Sequence, residues 1–265
     1  MASTEIAKWD PKLTERVMGI IRPVLKRYFR SEVHGLENVP AGGALVVSNH
    51  SGGQLAFDVP VFAIDWYSER GYDRPIYTLS HDMIMVGPIG NFLRRIGFIP
   101  ANHENAASAL RSNGIVVVFP GGDYDAYRPT STRNVIDFNG RAGYVRAAIE
   151  AGVPIVPMVS IGGQETQLFL TRGTSLAQRL GPIARLARAK IAPVTVGFPF
   201  GFSLFVLPPN LPLPAKIVTR VLEPINIRKK FGKNPDIAEV DVYVRGVMQA
   251  GLDELAAQRR FPVLG

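Results

Sequence analysis

Three short runs of small and β-branched residues, Gly43 to Val47, Gly114 to Phe119 and Val153 to Ser160, each stop at a turn, with helical patterns in between. A run that is apolar at every position has no face to turn to water, so each reads as a strand covered on both sides. Ile76 to Ser80 and Gly97 to Pro100 read as two more strands. Helical period appears over Asp58 to Arg70, over Met83 to Ile96 with a break at Gly87-Pro88, up to Ser112, and over Gly140 to Ala151. Strands alternating with helices of this length predict an α/β fold: a single domain over residues 1–265 with a mostly parallel central sheet flanked by helices. At 265 residues and 46% hydrophobic content the chain can fill one large core.

The first of these runs ends in an imidazole. Asn49, Ser51, Gly52 and Gly53 form a turn that leaves His50 at a strand C-terminus. In an open α/β sheet ligands bind along that edge, and the glycines let a substrate approach the backbone. A neutral imidazole held by a carboxylate is the usual general base for a hydroxyl, because its pKa lies near working pH. Asp58, at the start of the next helical pattern, is the nearest partner; the alternative is a turn histidine beside a helix-capping aspartate. The turns at Gly52-Gly53 and Gly121-Gly122 are either cradles of backbone N–H groups for anionic oxygen or simply tight turns. No Gly-x-Ser-x-Gly elbow precedes a helix, which disfavours a serine nucleophile, although Ser51 adjoins His50.

A net charge of +8 implies an anionic partner, and since no nucleic-acid motif is found, a membrane surface or a phosphorylated substrate is expected. With no cysteine there is no disulfide, no thiolate zinc site and no thiol nucleophile, and four histidines weaken a metal reading. Met1 to Pro11 lack an apolar core, so no secretory signal and a cytoplasmic location are expected.

Two segments read as interfacial. With Asp10 as N-cap and Pro11 at the first helical position, residues 11–30 read as an amphipathic basic helix that Pro23 kinks. Val17, Ile20, Ile21, Val24 and Tyr28 lie on one side, and Arg16, Lys26, Arg27 and Arg30 on the other, as in a core helix or a membrane-surface helix. Thr166 to Leu222 carries Arg172, Arg179, Arg185, Arg188, Lys190, Lys216 and Arg220 without one acidic residue, and Ile191 to Ala215 is uncharged. Six prolines in that uncharged stretch exclude a simple spanning helix. Residues 166–215 therefore read as a basic, Phe/Pro-rich insertion facing an anionic membrane, or else as a core or dimer contact. Ile237 to Arg260 reads as a closing amphipathic helix.

Four stretches in one order carry a resemblance: Asn49-His50-Ser51-Gly52-Gly53, Gly97-Phe98-Ile99-Pro100-Ala101-Asn102, Phe119-Pro120-Gly121-Gly122-Asp123-Tyr124-Asp125 and Val153-Pro154-Ile155-Val156-Pro157. The chain resembles the glycerolipid (lysophospholipid) acyltransferase family, nearer its monoacylglycerol-type and bacterial branch, over roughly Gly35 to Ile227. The resemblance implies acyl transfer, within phospholipid biosynthesis, from acyl-CoA or acyl carrier protein to a hydroxyl of a lysophospholipid or related glycerolipid. It implies no resident cofactor, acyl-CoA being a co-substrate, and peripheral attachment at the cytoplasmic face of the membrane. His50 would be the base. The competing classes are a hydrolase using the same His50 and a non-catalytic lipid-binding protein.

The departures from the family pattern are specific. The family commonly spaces its histidine and aspartate by four residues, a position held here by Leu55; Asp58 follows seven intervening residues, and Asp125 is a rival orienting carboxylate. The family's Phe-Pro-Glu-Gly-Thr-Arg block has Gly121 and Tyr124 at its Glu and Arg positions, and the arginine of its second block falls at His103. Arg94, Arg95, Arg128 and Arg141 are the available substitutes for the phosphate grip. The expected substrate-contacting set is Asn49, Ser51, Gly52, Gly53, Arg95, Gly121, Gly122, Tyr124, Arg128 and Arg141.

Overall fold

A computed structural model describes residues 5–53, 57–179, 191–205, 207–261 and 263. Its strands are β1 Glu32–His34, β2 Ala44–Ser48, β3 Ile76–Ser80, β4 Phe98–Pro100, β5 Ile115–Val118, β6 Ile155–Ile161, β7 Leu168–Thr171, β8 Val194–Gly197, β9 Gly201–Leu204 and β10 Val218–Val221. Seven form one sheet in the order β1-β10-β6-β2-β5-β3-β4. The pairings from β6 through β2, β5 and β3 to β4 are all parallel, whereas β10 runs against β6 and carries β1 with it.

The central strands alternate between two apolar layers, which is why their sequences are apolar throughout. On β2, Leu45 and Val47 join the layer under helices α4 His103–Arg111, α6 Gly143–Ala151 and the C-terminal helix Ile237–Gln258. Ala44 and Val46 join the layer under α1 Pro11–Pro23 and α2 Asp58–Arg70. The remaining helices that matter for the site are α3 Gly87–Arg95 and α5 Gly122–Ala126. The parallel register, Val47 beside Val118 and Ser48 beside Met158, brings the carboxyl ends of β2, β5 and β6 to one edge.

One expectation is corrected. Asp10 does cap α1, its carboxylate accepting from Leu13 N–H at 3.0 Å, but the α-helix ends at Pro23 and the chain continues through a wider π-turn over Val24–Tyr28. Pro23 has no N–H for the α-helical bond, and Phe29 N–H instead reaches Val24 O five residues back. The apolar side of this segment is divided: Met18 and Leu25 are buried, while Ile20 and Val24 are exposed. The Pro-Gly-Gly turn after β5 leads directly into the short helix α5.

The segment from 166 to 215 contains a separate antiparallel sheet, β7-β8-β9. Its register places Leu168, Val196 and Phe202 in one cross-strand row and Phe169, Thr195 and Ser203 in the next. The second row is buried, so the small sheet turns its more apolar face outward. Arg185, Arg188 and Lys190 lie outside the described residues, as does Leu55. Among the described residues no helix is long and apolar enough to cross a membrane.

Candidate active site

His50 leaves the end of β2 beside the end of β5, where its ring stacks on Phe119 with centroids 4.3 Å apart. Its Nδ1 lies 3.0 Å from Oδ2 of Asp58, the first residue of α2. Asp58 is buried, and its two oxygens also accept from Ser51 N–H at 2.9 Å and Ser51 Oγ–H at 2.8 Å. Its place in the first turn of a 13-residue helix adds a favourable axial field for an anion. The carboxylate is thus fixed before it holds the imidazole. His50 keeps 22% of its side chain exposed, and its other ring nitrogen, Nε2, has no partner among the described residues. Such a ring can accept a proton from a bound hydroxyl.

The loop carrying His50 is held through its backbone. Four successive N–H groups have four separate acceptors: His50 donates to Asp125 Oδ2 at 2.6 Å, Ser51 to Asp58, Gly52 to Gln164 Oε1 at 3.1 Å and Gly53 to Ala126 O at 3.1 Å. Gly122 N–H donates to Phe119 O. The amides at Gly52, Gly53 and Gly122 are therefore spent inside the protein. Glycine serves another need at Gly53: φ is +63°, and a Cβ would stand 3.0 Å from both Phe169 and Tyr127. Asn49 acts as one more rung of the sheet, its Nδ2 donating to Ser160 O and its Oδ1 accepting from Ser160 N–H, each at 2.8 Å.

Asp125 faces the His50 backbone, while Asp58 faces the ring. Behind Asp125 stands Arg128, ion-paired with its Oδ1 and donating from Nη1 to Arg133 O at 3.0 Å. Both side chains are buried, and burial, with the Arg172 charge second, brings the Arg128 guanidinium down to about 10. Arg128 is therefore a strut and is closed off from a substrate phosphate. Arg141 is exposed and donates to Gly121 O at 2.8 Å and to Asp123. Arg94 and Arg95 are not brought to His50. They end α3 at the opposite edge of the sheet, before β4, and pair with Glu5 and Asp10 at 2.6 Å each. His103 pairs with Glu150 on α6.

Three contributors are absent from the expected substrate-contacting set. Gln164 spans from Gly52 N–H to the carbonyl of Arg128, Gly163 packs where a Cβ would strike Ser51 Oγ, and Arg172 stacks on Tyr124. Only the Gly162-Gly163 pair after an apolar strand marked the first two, as a close backbone approach.

A family model described as Acyltransferase matches residues 30–161, the span that holds β1 to β6 and His50, Asp58 and Asp125. An uncharacterized protein of Mycobacterium tuberculosis is 33% identical over 251 residues, covering 91% of this chain and 67% of that protein. A mouse protein named as a DGAT1/2-independent enzyme synthesizing storage lipids is 28% identical over 191 residues, covering 72% of this chain and 55% of its own length. In three dimensions the chain is similar to the 1-acyl-sn-glycerophosphate acyltransferase PlsC from Thermotoga maritima. That match has a TM-score of 0.56 and 19% identity, over 92% of this chain and 82% of that one, and it is a likeness of fold. With a histidine and an aspartate joined at the carboxyl edge of the sheet that this match spans, the chain belongs to the acyltransferase family.

Proposed function

We propose that the protein transfers a fatty acyl chain from acyl-CoA or acyl carrier protein to a hydroxyl of a lysophospholipid or related glycerolipid, with no resident cofactor. The observation that carries this reading is the 3.0 Å contact of His50 Nδ1 with Asp58, on a ring that keeps 22% of its side chain exposed and whose Nε2 has no partner among the described residues. With the Nδ1 proton turned to Asp58, Nε2 accepts the hydroxyl proton as the oxygen attacks the thioester carbonyl. Collapse of the tetrahedral species expels the thiolate, which leaves with that proton. A thioester is already activated, so base and orientation are the main requirements.

The reaction is assigned to an anionic membrane surface on the cytoplasmic side. This rests on the outward row of β7-β8-β9 and on Phe198, Phe200 and Phe202, which are 69%, 58% and 72% exposed, in a chain of net charge +8. The test is product analysis with acyl-labelled acyl-CoA against lysophospholipids and monoacylglycerols. Acceptor-dependent appearance of acylated lipid supports the reading. Release of free fatty acid at the same rate with and without acceptor would replace it with a hydrolase.

A further inference from the structure

Tyr124, two residues after the Gly121-Gly122 turn, carries a guanidinium on its ring. Arg172 follows β7, and its Cζ is 3.8 Å from the centroid of the Tyr124 ring. Its Nε donates to the Tyr124 carbonyl at 2.7 Å, and its own carbonyl accepts from Ala192 N–H at 3.0 Å. The side chain is thus fixed by its face, by one edge and through its backbone. The two Nη groups have no hydrogen-bond partner, and no carboxylate pairs with Arg172, among the described residues. Its neighbours differ, since Arg128, Arg133 and Arg141 each pair with an acid. A stacked, half-buried arginine with an unspent fork suits two oxygens of one tetrahedral anion.

The fork also stands close to the catalytic loop. Tyr124 precedes Asp125, whose carboxylate holds the His50 N–H, and Phe169 of β7 lies against Gly53. The Arg172 charge acts on Arg128, which lies behind the same loop. Building on the acyltransferase reading, we propose that the Nη groups of Arg172, held on the Tyr124 ring, bind the phosphate ester of a substrate beside His50. A cation for that anion is thus supplied from the end of β7. The phosphate belongs either to the acceptor or to the CoA of the donor, and the two are separable.

The test uses the full chain as wild type, Arg172→Gln and Arg172→Lys, each checked by circular dichroism. Binding is measured calorimetrically for a non-reactive ether analogue of lysophosphatidic acid and for CoA, neither of which requires turnover. Arg172→Gln should weaken one of the two by at least tenfold, with Arg172→Lys in between because it keeps the charge and loses the fork. Weakening of the ether lipid assigns the acceptor phosphate; weakening of CoA assigns the donor. In kinetics the same loss should appear as a fall in the ratio of kcat/KM for lysophosphatidic acid over monoacylglycerol, or for acyl-CoA over acyl-pantetheine, through KM. Affinities within twofold of wild type for both probes overturn the proposal, as does an equal loss of kcat/KM for all four substrates. If Arg172→Gln does not fold, Tyr124→Leu removes the platform and should lower the same affinity. If wild type acylates nothing, the acyltransferase reading fails while the binding arm still decides the role of Arg172.

Discussion

Asp58 Oδ2 is 3.0 Å from His50 Nδ1 and 2.9 Å from the N–H of Ser51, so one carboxylate oxygen serves both the ring and the backbone beside it. The contact spans eight positions along the chain, and the sharp turn at Gly52 and Gly53, with φ of +83° and +63°, belongs to that path. A dyad of this kind needs the aspartate to arrive at the ring, whatever the number of residues between. His50→Ala should lower acyl transfer by at least about 100-fold, the low end for a general base, and leave the melting temperature close to wild type. Turnover near wild type in purified protein would remove His50 from that role.

The two carboxylates near His50 should differ in what they damage. Asp58→Asn breaks the link to the ring and is expected to act mainly on kcat. Asp125→Asn leaves the Arg128 guanidinium buried without its acid, a defect that typically costs about 3–5 kcal/mol of stability. Chemical denaturation should therefore show the larger midpoint loss for Asp125→Asn, and the double variant Asp125→Asn with Arg128→Met should recover part of it. Equal stability of the two single variants would mean that the Asp125–Arg128 pair is not the strut of this loop.

Gly53→Ala tests the loop without removing any functional group. A side chain at this positive φ costs about 1–2 kcal/mol, and the added Cβ meets Phe169 and Tyr127. The loop must move to relieve both, which withdraws the Gly53 N–H from Ala126 and shifts the ring. Activity should fall by at least about tenfold, since small misplacements of a catalytic group are costly, with a modest change in melting temperature. An unchanged kcat would show that the His50 position does not depend on this turn.

Much of this architecture was legible in the residues. Asp58–Arg70 and Ile76–Ser80 form over the spans that their patterns marked, because Gly71 closes the helix and Pro75 precedes the strand. The site was legible at His50 and Asp58, which lie where a strand ends and a helix begins. Burial of charge was not: Arg94, Arg95, Arg128 and Arg141 are equivalent in sequence, yet one is a buried strut, two cap the far edge and one pairs with Asp123. The small sheet was also hidden, since prolines and phenylalanines obscure a two-residue alternation whose apolar side faces outward. Gln164 and Arg172 act through side-chain reach across the fold, for which a single sequence carries no pattern.

The last prediction concerns the membrane, and the structure narrows which residues it involves. Lys216 pairs with Glu32 at 2.8 Å, so it is not an unengaged cation for anionic head groups, and Arg172 is held on Tyr124 away from the row of exposed phenylalanines in sequence. Arg179 is exposed at the end of the helix Thr174–Arg179, and Phe198, Phe200 and Phe202 are exposed further along the same segment. A basic residue near an anionic surface contributes about 1 kcal/mol and is screened by salt. Burial of a phenylalanine contributes about 1.5–3 kcal/mol and is not screened in this way. Replacing the three phenylalanines with serine should therefore abolish vesicle co-sedimentation at low and high ionic strength. Arg179→Gln should weaken it slightly, and only at low salt. If the triple variant stays folded and still sediments, attachment passes to the exposed Ile20 and Val24 of the N-terminal segment. The variant Ile20→Ser with Val24→Ser would then lose sedimentation at every salt concentration.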